Sequence, residues 1–131
     1  MTPQEIRPLL AGYRTAVQQA WTVATAQDGY DAAPGSPVGQ CGVTSAWLQH
    51  QLNTDHGIAT DYFEGSVWLE SKRLTDDYCW LQVDDIILDL TADQYGLNET
   101  VCGYWRDLTP VYLGRPGNPP VNRLRLLGAA L

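Results

Sequence analysis

Two runs rich in β-forming residues, Tyr78–Val83 and Ile86–Leu90, flank the pair Asp84-Asp85. Runs of that kind around a two-residue turn read as an antiparallel hairpin. With the two aspartates as the turn, Leu81 faces Leu88, Gln82 faces Ile87 and Trp80 faces Asp89. Side chains alternate between faces, so one side of the hairpin collects Cys79, Leu81, Val83, Ile86, Leu88 and Leu90. That side is wholly apolar and must be the core, which fixes the register. The other side collects Tyr78, Trp80, Gln82, Ile87 and Asp89. Tyr78 and Asp89 then lie diagonally across the strands, about 7–8 Å apart at the backbone and within side-chain reach. Cys79, on the core side, is expected to behave as a small inert hydrophobe.

The rest of the chain supplies helices to cover that face. Ile6, Leu9, Leu10, Tyr13, Val17 and Trp21 have helical spacing, with Thr2 as cap and Pro3 at the first helical position. Asp28-Gly29, Pro34-Gly35 and Pro37 break the pattern into a long loop from Thr25 to Gly39. Gly42 to Thr54 is helical again, with Val43, Trp47, Leu48 and Leu52 on one side and His56-Gly57 as the stop. Ile58 to Leu69 reads as one or two strands interrupted at Gly65, and Val111 to Leu113 as a last strand before the turn-rich Gly114–Pro120. Thr91-Ala92-Asp93-Gln94 fits a capping box that starts a short helix. Leu124, Leu127 and Leu131 suggest a terminal helix over Val121–Leu131. The expected fold is α+β, with N-terminal helices packed on a small antiparallel sheet, in one domain over residues 1–131.

Fifteen acidic against eight basic residues give a net charge of −7, a field that repels phosphate backbones and anionic lipid. Neither nucleic acid nor membrane is the expected partner. The N-terminus lacks a basic stretch followed by an apolar one, and no apolar run reaches the ~20 residues of a membrane span, which places the protein in the cytoplasm. Cys41, Cys79 and Cys102 form no CxxC pair, and their odd number suits reduced thiols. No metal site and no cofactor are expected, since His50 and His56 have no cysteine near them in sequence.

Chemistry concentrates at Gly39-Gln40-Cys41-Gly42-Val43-Thr44-Ser45. Cys41 starts a helix, where the positive end of the dipole favours a thiolate, so it is the candidate nucleophile; the bland reading is a buried helix-start cysteine. Asp89 is either the carboxylate that orients a catalytic partner or a cap for the turn at Thr91. Gln40 is a candidate oxyanion donor, and Trp80 and Gln94 are candidate substrate contacts; their structural alternatives are packing for Trp80 and first-turn capping for Gln94. His50 comes round on the far side of the helix from Cys41, and His56 lies about 22 Å along it. Tyr78 occupies the place where a histidine would meet Asp89 as in a catalytic triad.

These motifs, Gly-Gln-Cys-Gly-Val-Thr-Ser at 39–45, Tyr-Cys-Trp at 78–80 and Asp-Leu-Thr-Ala-Asp-Gln at 89–94, occur in the same order as in the YunG-like family of small bacterial proteins, whose pattern is GQCAVTA, HYWN and DLTxxQF. The chain resembles that family over about residues 13 to 127. The resemblance implies a compact papain-like fold, with Cys41 as nucleophile and Asp89 as orienting acid. The departures are Tyr78 at the family's histidine, Cys79 at its following aromatic, and Tyr95 after Gln94. The expected activity is hydrolysis or acyl transfer on an amide, ester or thioester of a small-molecule or peptide substrate, through Cys41 with Tyr78 and Asp89 as polar partners. The alternative is a catalytically degenerate papain-like protein that binds a small molecule or another protein.

Overall fold

A computed structural model describes all 131 residues and has an α+β fold. In chain order the elements are α1 (Pro3–Gln18), α2 (Cys41–His56), β1 (Asp61–Leu69), β2 (Lys72–Val83), β3 (Ile86–Asp89), a short 3-10 turn (Ala92–Tyr95), β4 (Val101–Tyr104), β5 (Pro110–Pro116) and α3 (Asn122–Ala130). The sheet runs β4-β3-β2-β1-β5, antiparallel throughout.

Local chemistry explains the helix ends. Thr2 accepts from the Glu5 N–H while the Glu5 carboxylate accepts from the Thr2 N–H, a capping box that satisfies two otherwise orphaned donors. Helix α2 stops at Gly57, whose φ of +65° is the left-handed conformation glycine adopts without a Cβ penalty. The hairpin pairs as the alternation requires, Leu81 with Leu88, Gln82 with Ile87 and Val83 with Ile86.

Other elements depart from the sequence reading. Strand β2 begins at Lys72, because its polar first half pairs with the end of β1, and the β1–β2 register shifts between Gly65 and Trp68 without ending the strand. Strand β4 has no alternating signature, and β5 continues through Gly114-Arg115-Pro116, which sequence assigned to a loop. Helix α1 ends at Gln18, and Trp21 is buried beyond it, its indole N–H donating to Thr44 at 2.8 Å. The capping box at Thr91 does not form, because the Thr91 hydroxyl is drawn into a buried side-chain network instead.

The buried residues fall into two clusters on opposite faces of the sheet. Leu81, Ile86, Leu88 and Leu90 pack with Ile6, Leu10, Val43, Leu48, Leu52 and Leu127 from the helices. Val67, Tyr78, Trp80, Ile87, Val101 and Tyr112 form the other cluster. The sheet curls around this second set. Trp105, just after edge strand β4, donates its backbone N–H to the Asp85 carbonyl and its indole N–H to the Tyr112 carbonyl on the opposite edge strand β5, the latter at 2.8 Å. A flat five-stranded sheet could not bring its two edges to one residue.

Arg14 ties α1 to the segment after β3. It is 3% exposed, forms a two-pronged pair with Asp93 at 2.8 and 2.9 Å, and donates to the carbonyls of Leu90 and Glu99. Its guanidinium also lies over the Trp21 ring at 4.9 Å. Replacing Arg14 by Met should cost about 3 kcal/mol in urea unfolding, the low end for breaking a buried pair because Asp93 stays partly exposed. The double variant with Asp93→Leu should cost less than the sum of the single changes.

Candidate functional site

The approach to Cys41 is held by backbone-directed bonds. Gly39 has φ +73°, and a Cβ there would stand 2.8 Å from the Tyr30 Cβ, so only glycine fits the turn into α2. Gln40 is fully buried; its carbonyl oxygen accepts from the Thr25 hydroxyl at 2.8 Å and its amide donates to the Thr22 carbonyl at 2.9 Å. Gln94 accepts from the Gly39 N–H at 3.3 Å and donates to the Thr91 carbonyl at 3.2 Å. Both glutamines brace the loops that meet at the site.

Asp89 is the hub. It is 1% exposed, and its carboxylate accepts from the Tyr78 hydroxyl at 2.8 Å to each oxygen, from the Tyr112 hydroxyl at 2.7 Å and from the Thr91 N–H at 2.9 Å. The Thr91 hydroxyl adds contacts at 2.9 Å to Tyr78 and 3.4 Å to Asp89. Burial pushes the Asp89 carboxyl above its ordinary value, and these donors pull it back only in part. Burial, and next the Asp89 charge, raise Tyr78 well above the phenol range, so its hydroxyl keeps its proton and donates. Burial and Asp89 do the same at Tyr112.

Cys41 begins α2 as expected, yet it is 3% exposed and packs among Tyr78, Trp80, Ala92 and Tyr112. The contact with Cys79 and then burial raise Cys41 well above the usual thiol range, against the pull of the helix dipole. Cys79 moves the other way, lowered chiefly by the hydrogen bond from Cys41 and further by one from Tyr62, although burial opposes both. Cys79 lies half-buried and packs against both buried clusters.

Trp80 is 1% exposed and stacked between Phe63 and Tyr78, with Tyr112 edge-on at 5.2 Å. Its buried indole N–H has no partner. One side of it borders a hollow of about 260 Å3 with Phe63, Gln82, Asp85, Trp105 and Tyr112. None of the five principal surface hollows is lined by Cys41, Tyr78 or Asp89. His50 borders hollows on the outer side of α2, and no group of three or more His, Cys, Asp or Glu side chains converges as a metal would need. No helix is long and apolar enough to cross a membrane.

Sequence reasoning paired Tyr78 with Asp89 but missed Tyr112 and Thr91 as partners. Alternation could place Tyr112 on one face of β5, but only the curl of the sheet brings it to Asp89. No family model, no curated protein and no solved structure matches the chain.

Tyr112→Phe should cost about 1.5–3 kcal/mol, the range for a lost hydrogen bond to a charged group. The same change carries a pH signature. Because the folded-state value of Asp89 is raised above 3.8, its contribution to stability is fullest below that pH and falls as pH rises through the folded value. Tyr112→Phe removes a donor that lowers that value, so the fall should extend to higher pH, read from urea midpoints across acidic to neutral buffers.

Proposed function

We propose that the chain keeps a papain-like, cysteine-nucleophile layout whose catalytic centre has become structural, and that it works as a small binding or accessory module. The observation that carries this reading is the commitment of Asp89. In a working triad the carboxylate orients a base that takes the thiol proton. Here it holds two phenols and a backbone N–H, and the group in the base position donates to the carboxylate with its only proton. The Cys41 thiol is buried, and the phenol in its cluster keeps its proton, so no positioned base takes the proton of the thiol.

The order of the three motifs and the meeting of Cys41, Tyr78 and Asp89 in one buried cluster neighbourhood support descent from, or likeness to, a catalyst. The filled interior supports loss of the reaction. The aromatic hollow bordered by Trp80 and Trp105, the latter 42% exposed, is where a ligand of such a module would stack, with Gln82 and Asp85 as its polar rim.

Alkylation by iodoacetamide near neutral pH separates this reading from an active enzyme. Cys41 should react more slowly than a free thiol, and Tyr78→His should speed it by about 10²-fold, the low end of what a positioned base contributes. Fast, selective alkylation of Cys41 in the unaltered chain would overturn the proposal.

A further inference from the structure

The Trp80 indole N–H belongs to a side chain only 1% exposed, and no group of the protein accepts from it. A buried donor left without an acceptor is costly, and an acceptor carried by a ligand would remove that cost. The ring lines the aromatic hollow, and one edge of it rests on Gly114, where a Cβ would come within 2.5 Å of Cη2 and 2.9 Å of Cζ2. Cζ2 and the indole nitrogen are bonded to the same ring carbon, so the N–H lies on that edge. Gly114 also borders a second hollow, of about 490 Å3, lined by Glu64, Asp76, Asp77 and Arg115 with no apolar side chain. Its partner across β1 and β5 is Gly65, which borders the second hollow too, so bare glycine backbone forms the floor where the two meet.

The open valences of this surface differ along its length. At the aromatic end Phe63, Trp105 and Leu113 offer apolar walls, and the last two are exposed. Of the four carboxylates at the two hollows, Glu64, Asp76, Asp77 and Asp85, only Asp76 has a cationic partner, Arg73 at a loose 3.8 Å. We infer that the two hollows together dock a short basic segment of a partner polypeptide, lying across Gly114. A peptide carbonyl accepts from the Trp80 N–H, an apolar side chain beds against the aromatic walls, and a lysine or arginine next along enters the acidic hollow. This rests on the reading of the chain as a binding module and names the chemistry of its partner. A polyamine would bring charge without an acceptor or an apolar body, and a neutral aromatic would bring a stacking face without charge; a peptide carries all three on one backbone. The net charge of −7 acts in the same sense, drawing a cationic segment toward the surface.

The test follows the indole N–H peaks of the full chain by NMR during titration with a capped phenylalanine–lysine–lysine peptide. Five tryptophans give five such peaks, and Trp80→Phe shows which is that of Trp80. Should that variant not fold, contacts to the ring protons of Phe63 and Tyr112 assign the peak in the unaltered chain. On binding, the Trp80 proton should move downfield as it gains an acceptor, while that of Trp21, already bonded to Thr44, stays in place. Norleucine in place of both peptide lysines should weaken binding several-fold and abolish its salt dependence. Asp76→Asn together with Asp77→Asn, both at exposed positions, should weaken binding of the lysine peptide several-fold. Equal binding of the norleucine peptide, equally strong binding of spermidine, a Trp80 peak that moves with protein concentration alone, or no movement with either peptide would overturn the inference. Slow alkylation of Cys41 in the same preparation would then still uphold the module reading, so the two fail separately.

Discussion

A carboxylate buried on the concave side of a curled sheet sets the terms for this molecule. Asp89 cannot sit in that interior without donors, since an unpaired buried carboxylate costs several kcal/mol. The fold supplies them from three directions: Tyr78 on the neighbouring strand, Tyr112 across the curl on the far edge strand, and the Thr91 backbone where the chain leaves β3. Each donor fixes a piece of architecture. The Tyr112 bond needs the sheet to close on itself, the Trp105 bridge between the two edges holds it closed, and the Thr91 bond sets the direction in which the chain turns toward Arg14 and Asp93.

The same arrangement decides the chemistry. A histidine in place of Tyr78 would receive orientation from Asp89 and could take a proton; a phenol in that place can only give its hydrogen to the carboxylate. The network that stabilises the site leaves no proton acceptor at position 78. Cys41 stands at a helix start, yet it is buried among aromatic side chains.

Particular residues show where sequence logic reached and where it stopped. The sum rule for the Asp84-Asp85 turn put Leu81 opposite Leu88, sorted the hairpin faces and brought Tyr78 to Asp89, because alternation has a strict period and one face had to be apolar. The Thr2 cap and the Gly57 stop were legible because they depend on a few adjacent atoms. Strand β4 and the first half of β2 were not, since Lys72 to Asp77 and Val101 to Tyr104 are strands only because a neighbour offers its hydrogen bonds. Thr91 and Gln94 have the spacing of a capping box, yet the buried Tyr78 and Asp89 offered Thr91 better partners. Arg14 falls between Leu10 and Val17 on the apolar face of α1, and the carbonyls and carboxylate that make its burial possible lie more than seventy residues away.

The amino-acid order by itself determined the α+β class, the central hairpin, and the placing of Cys41 at a helix start, because periodicity and capping are local and repeat with fixed spacing. Tertiary structure alone decided that the two sheet edges meet, that Asp89 is held by two phenols and a backbone N–H, and that Cys41 is buried. Those outcomes depend on how a twisted sheet curls and on which polar groups lose water together, quantities that no spacing along a chain encodes.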